Sequence, residues 1–277
     1  MREVEDRRSP AMPRHREVEG RQERQGRPSP RNGERRVVYG LRPVMEAVRS
    51  GKDIEKVLVQ KGLKGELGQE LMAAVREAAL PVQYLPAEAL QRLFPQANHQ
   101  GVAAYISPVP FQTIDAVLPQ VYEAGRVPLV LIFDRITDVR NFGAMVRTAE
   151  GAGVDAVIIP AHHAAAMNED ALKASAGALL TVPVCREANL KTAIHFLKAS
   201  GLKIVAVTEK GSSPYTEIDY TDPTAFILGS EEDGVSPEYL KLCDGRARIP
   251  MLGRIESLNV SVANGILLYE ALRQRAR

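Results

Sequence analysis

Six short apolar runs, at 129–133, 156–160, 182–185, 203–208, 225–229 and 247–250, constrain the fold of this chain more than any other feature. Each is rich in Val, Ile, Leu or Ala, and few show the polar alternation of a strand with one wet face. Strands of this kind are buried on both sides, which goes with parallel pairing and helical crossovers. Helical patterns at 142–152, 190–200 and 237–243 fall between them. The expectation is an α/β sheet covered on both faces. No Gly-x-Gly-x-x-Gly follows any run, and Gly151-Ala-Gly153 stands between a helix and the next strand, so an ordinary dinucleotide fold is disfavoured.

At 277 residues the chain has room for a second core, and the stretch before the large sheet supplies one. An apolar pair at Val37-Val38 leads through Gly40 into a helical pattern ending at Ser50-Gly51. Strands are then expected at 56–60, 81–85 and 102–106, with helices at 65–79 and 86–94. Residues 37–107 thus read as a small α/β domain, 108–126 as a connection with a helical stretch at 113–125, and 127–277 as the large domain. Asn98, His99 and Gln100, just before Gly101, form either a polar turn or a nucleotide contact.

Residues 1–36 differ from the rest. They hold 11 arginines against 7 acidic residues and almost no large apolar side chain, so this tail is expected to be disordered. The remaining chain has 25 basic and 27 acidic residues. Cys185 and Cys243 stand apart, with no His or Cys at ligand spacing, so packed thiols are expected and neither a metal site nor a disulfide. No apolar run approaches the roughly 18 residues of a membrane span, and the first residues are charged, so a cytoplasmic location without membrane contact is expected.

Three polar segments follow apolar runs, where open α/β sheets bind ligands. The first runs from Asp134 through Asn141-Phe-Gly-Ala into a helix bearing Arg147; the second is Gly229-Ser-Glu-Glu-Asp-Gly234; the third is Ile249-Pro-Met-Leu-Gly-Arg-Ile-Glu-Ser-Leu-Asn-Val-Ser-Val-Ala263. In the third, Ser257, Asn259 and Ser261 alternate before an apolar helix, as helix caps or as a site.

In order and spacing, Asn141-Phe-Gly-Ala with Arg147-Thr-Ala, Gly229-Ser-Glu231 with Gly234, and Ser257-Leu-Asn-Val-Ser-Val-Ala263 resemble the three motifs of the SpoU (TrmH-type) RNA ribose 2′-O-methyltransferases. Val38-Tyr-Gly-Leu and His99-Gln-Gly-Val look like that family's L30e-like RNA-binding domain. The resemblance implies a knotted (trefoil) parallel-sheet methyltransferase domain behind a smaller L30e-like one. It further implies methyl transfer from S-adenosylmethionine to a ribose 2′-hydroxyl of RNA, with a guanosine of 23S rRNA as the expected target. A tRNA target and a non-catalytic RNA-binding or ribosome-assembly role are the alternatives, and the intact motifs argue against the second. The cofactor positions it implies are Gly229, Ile249 and Leu258, with Met251 and Gly253 nearby; the catalytic set is Asn141, Arg147, Glu231, Ser257 and Asn259. The family's usual account makes the arginine a general base. A guanidinium pKa above about 12 favours instead stabilising the developing oxyanion and gripping a phosphate. Glu231 would position Arg147 or accept a proton, and which of Glu231, Glu232 and Asp233 acts stays open. A homodimer through the last helix is also expected, because Val260, Ala263, Ile266, Leu267, Ala271 and Leu272 wrap more than one of its faces.

The tail's charge generates a prediction of its own. Each phosphate contact contributes about 0.7 to 0.9 to the salt slope of affinity. Three or four engaged tail arginines therefore mean that deleting residues 1–35 lowers the slope by about 2 to 3. RNA-binding titrations across a salt series check this; superimposable curves for the two proteins exclude a role for the tail in binding.

Overall fold

A computed structural model describes residues 36–276. The expected disorder of the tail falls on residues that, apart from Arg36, lie outside the described residues. The first sheet is built from β1 (Val37–Tyr39), α1 (Leu41–Arg49), β2 (Ile54–Gln60), α2 (Glu66–Glu77), β3 (Val82–Leu85), α3 (Ala87–Leu93) and β4 (Val102–Ile106). Its strand order is β1-β4-β2-β3, with β4 antiparallel to both neighbours and β2 parallel to β3. Leu71 and Val75 of α2 and Val44 of α1 bury fully against Val57, Val102 and Ala104. The 98–100 stretch is a polar turn. His99 is buried, its Nδ1 accepting from Gly101 N at 3.0 Å while Nε2 faces Gln91 Oε1 at 3.0 Å. Gln100 Oε1 accepts from Leu41 N at the start of α1.

The second sheet begins earlier than the sequence suggests. The stretch 108–126, read above as a connection, supplies β5 (Phe111–Gln112) and α4 (Ile114–Glu123) to the large sheet. The chain continues as β6 (Leu129–Phe133), α5 (Val139–Gly151), β7 (Ala156–Pro160), α6 (Glu169–Ala174), β8 (Val184–Glu187), α7 (Leu190–Ala199), β9 (Lys203–Val207), β10 (Ser213–Pro214), β11 (Thr224–Leu228), α8 (Pro237–Leu240), β12 (Gly245–Arg248) and α9 (Val260–Arg275). The order is β10-β12-β9-β11-β6-β7-β8-β5, and every pairing is parallel. All residues of β6 and β11 are buried, as their unbroken apolar runs require. One face packs under α4 and α7 through Val117, Leu118, Ile194 and Leu197; the other packs under α5 and α9 through Phe142, Met145, Leu267 and Leu268.

The last helix departs from the sequence expectation. Leu267 and Ala271 are buried in the chain's own core, and Val260, Ile266 and Leu272 pack half-buried against it. Most of the apolar surface counted above toward a dimer is thus consumed within the chain, and Val262 and Tyr269 remain about half exposed. Cys185 is buried and Cys243 half-buried, and burial pushes their thiols up to about 12 and about 11. Among the described residues no helix is long and apolar enough to cross a membrane, and no His, Cys, Asp and Glu cluster could hold a metal.

Candidate functional site

Parallel pairing brings the ends of β6, β9, β11 and β12 to one edge, and the three polar segments meet there. The chain leaves β11 through Gly229, where a Cβ would stand 2.0 Å from the carbonyl carbon of Gly234. Only glycine allows this approach. It lets residues 229–234 fold back on themselves, closed by Gly234 N donating to Ser230 O at 2.9 Å. Gly211 plays a similar part beside β12, its Cβ position lying 2.8 Å from Arg246 O.

These turns enclose a cavity of about 760 Å³, within the roughly 300–1,000 Å³ range of small-molecule sites. Of the five cofactor positions the resemblance implies, Gly229, Ile249, Met251 and Leu258 line it, together with Ser257 of the catalytic set; Gly253 does not, being exposed with nothing within 4 Å of its Cβ position. Ile249, Met251, Leu258, Val260 and Ala263 form an apolar wall. Thr208, Glu209 and Lys210 from the end of β9 also line it, with Glu231, Glu232 and Glu256. Sequence reasoning missed the β9 contribution, whose one available signal was a polar Thr-Glu-Lys directly after an apolar run. A second cavity of about 300 Å³ shares Ser230, Glu231, Glu232, Asp233 and Val260 with the first, and Asn141 and His163 line its far side.

Glu231 sits in the wall between the two cavities. Asn141 Nδ2 donates to Glu231 Oε1 at 2.6 Å, and Asn259 Nδ2 donates to the same oxygen at 3.0 Å and to Asn141 Oδ1 at 3.1 Å. Helix caps orient both ends of this triangle. Asp138 Oδ1 accepts from Asn141 N at 2.7 Å and starts α5; Asn259 Oδ1 accepts from Ser261 N at 3.0 Å and Ser261 Oγ at 2.6 Å and starts α9. The Ser261 donors fix which end of the Asn259 amide is oxygen, so its NH₂ must face Glu231. The capping and site readings of the third segment therefore both hold for Asn259. Ser257 lines the first cavity beside it.

Two sequence expectations change here. Glu231 is held by the two asparagines and makes no contact with Arg147. Arg147 itself is exposed on α5 and lines neither cavity. The acidic run also resolves into parts. Arg135 Nη1 donates to Asp233 Oδ2 at 2.7 Å and Nη2 to Gly234 O at 3.1 Å. Its partner Asp134, 2% exposed, accepts from Ser236 N at 2.7 Å and Ser236 Oγ at 2.6 Å. Hydrogen bonding to Asp134, then to Asp233, raises the Arg135 pKa against the opposing effect of burial. Asp233 is thus tied back to the loop after β6, and Glu231 is the acid built into the junction of the three segments.

Comparison with known proteins identifies the family. The sequence profile of the SpoU rRNA methylase family matches residues 128–269, and a profile for RNA 2′-O ribose methyltransferase substrate binding matches 37–112. A Staphylococcus saprophyticus protein assigned to the TrmH family of tRNA/rRNA methyltransferases is 37% identical over 239 residues, covering 86% of this chain and 96% of its own. The crystal structure of an rRNA methyltransferase from Sinorhizobium meliloti with S-adenosylmethionine bound aligns with a TM-score of 0.55 at 26% identity, covering 86% of each chain. A TrmH/SpoU tRNA modifying enzyme from A. aeolicus aligns with a TM-score of 0.50 at 34% identity, covering 59% of this chain and 84% of its own.

The donor set fits S-adenosylmethionine, a cation with an adenosine and an amino-acid end. An apolar wall suits the adenine, and the carboxylates of Glu209, Glu231, Glu232 and Glu256 suit the positive charges. Gly229→Ala should displace the Gly234 turn that closes this cavity. Calorimetric titration is expected to show S-adenosylmethionine affinity lowered by at least about tenfold, with the chain still folded by circular dichroism.

Proposed function

The chain belongs to the SpoU methylase family of S-adenosylmethionine-dependent RNA methyltransferases, and from that premise we propose that it methylates a ribose 2′-hydroxyl of a guanosine in 23S rRNA. The observation that carries the reading is the triangle of Glu231, Asn141 and Asn259 at the wall between two cavities. When bound, S-adenosylmethionine supplies an electrophilic methyl group. The chain's own residues must hold the acceptor hydroxyl in line with it and manage the hydroxyl proton.

One cavity takes the cofactor, and the smaller one across the shared wall is open to the acceptor nucleotide. Two amide donors hold one carboxylate oxygen of Glu231 in place, which favours a positioning role. Ser257 and the asparagines offer neutral hydrogen bonds to substrate. Arg147 is exposed on α5 and lines neither cavity, which supports a role in gripping an RNA phosphate with its guanidinium fork. An rRNA target is favoured by coverage: the S. meliloti rRNA enzyme aligns along 86% of this chain, the A. aeolicus tRNA enzyme along 59%. A tRNA target stays the second reading, because the S. saprophyticus relative carries both substrates in its name.

The family's knot is part of this proposal, supported by the return of α9 from β12, beyond β9, to α5. So is the homodimer, supported by the exposed Val262 and Tyr269 on α9 and by Leu252 and Ile255, 99% and 73% exposed. A cytoplasmic setting accompanies it.

Mapping 2′-O-methyl positions in rRNA and tRNA from a strain lacking the protein tests the substrate, and the loss of one guanosine mark in 23S rRNA is expected. For the arginine, Arg147→Ala is expected to leave S-adenosylmethionine affinity unchanged while methyl transfer falls at least about a hundredfold. Arg147→Lys separates the roles, since lysine lacks the fork but can act as a base when desolvated. Near-full activity of the lysine variant with a lower pH optimum excludes the electrostatic role. Light scattering at micromolar concentration is expected to report a dimer, and a monomer excludes that part of the proposal.

A further inference from the structure

The small sheet and the large sheet do not share an apolar core. The residues packed around Val57 and Val102, and those around Leu58 and Leu90, belong to clusters separate from both clusters of the large sheet. What joins the two halves at the start of β2 is polar. Arg186 on β8 donates from Nη1 to Ile54 O at 2.6 Å, with Glu55 O a further 3.4 Å contact. Its guanidinium lies 4.0 Å from the centroid of the Phe111 ring on β5. Asp53 answers from the other side: its Oδ1 accepts from Phe111 N at 2.9 Å, and its backbone O accepts from Ser107 N at 2.7 Å. Next to Arg186, Glu187 Oε1 accepts from Ile114 N and ties the same strand to α4.

We propose that Arg186 is a positioning residue for the RNA substrate: it clamps the small domain, residues 37–107, to the edge of the catalytic sheet, and so sets how RNA held there enters the site. This rests on the RNA-methylation reading above. The residue type matters. A planar guanidinium can stack a face on Phe111 while its edge donates to a backbone carbonyl; lysine offers the hydrogen bond without the face. Backbone acceptors matter too, because they locate β2 itself and not a side chain that could swing away. An RNA that touches both halves can place its ribose only as well as the halves are placed relative to each other. Displacements of about 1 Å are enough to cost about a hundredfold when reacting atoms must align.

The test uses the full chain, as wild type, Arg186→Met and Arg186→Lys, with two RNAs containing the methylated nucleotide. One is long enough to span both halves; the other is a short fragment that reaches only the catalytic edge. Arg186→Met keeps side-chain length and loses every donor. It is expected to lower kcat/KM on the long RNA by about tenfold or more, while leaving the short fragment and S-adenosylmethionine affinity within about twofold of wild type. Arg186→Lys should fall between them. Hydrogen exchange, read without RNA, should rise at residues 54–55 and 111–112 in Arg186→Met and stay unchanged in α9. Equal losses on both RNAs, no loss on either, or unchanged exchange at the joint each overturn the proposal. If the wild type methylates neither RNA, the reading of the reaction fails, and the exchange measurement still decides whether Arg186 holds the joint.

Discussion

The contact on which the rest of the site depends is that of α9 lying across α5. It brings the third polar segment, at the start of α9, against the first, at the start of α5, 118 residues away in sequence. A buried polar bond fixes its register: Asn264, fully buried, donates from Nδ2 to Met145 O at 3.2 Å, leaving its own Oδ1 without a partner. An unmet buried acceptor costs about 1–3 kcal/mol. A leucine there would avoid that cost but would also slide freely on an apolar helix face. On the opposite side of α5, Gly143 lets α6 approach so closely that a Cβ would meet Ala174 Cβ at 2.4 Å. With α5 held from both sides, its first turn can present Asn141 to Glu231 without settling room.

The interior was legible in the sequence because it obeys one rule. Strands buried on both faces have no polar positions to interrupt them, so β6, β7, β9 and β11 read directly as apolar runs. The edges obeyed no such rule. β5 and β10 are two residues each, and their pairing is decided by what the neighbouring strand offers. α9 was legible only in part for a related reason: its apolar surface is wider than one stripe, and the share buried in the groove beside its own α5 depends on how the helix returns.

The site was legible by motif and only partly by physics. Gly229 announces a close approach, and Asn259 a cap, from residue type alone. That the same Asn259 would also reach Glu231 depends on the angle at which α9 returns, which local sequence does not encode. Arg147 shows the opposite limit. The resemblance offers it as one partner for Glu231, but about one and two-thirds turns beyond Asn141 the helix has rotated it outward into solvent.

Electrostatics explains how so acidic a loop can sit beside a path for RNA. Of the three acids after Ser230, Asp233 is paired with Arg135, and Glu231 directs one oxygen toward two amides. The pairing has a conformational cost, since Arg135 takes a left-handed backbone at φ 59°, a region that costs a non-glycine residue about 1–2 kcal/mol. That cost is tolerated because Arg135 does three things at once: it lies against the buried Asp134, neutralises Asp233, and holds the carbonyl of Gly234, the residue whose N–H closes the 229–234 turn. Glu232 lines both cavities as well, a carboxylate held by neither Arg135 nor the two asparagines. A cationic cofactor gains from that carboxylate and a phosphate does not. In the function proposed above, the two substrates are sorted by sign, cation inward past Glu232 and RNA backbone outward toward Arg147.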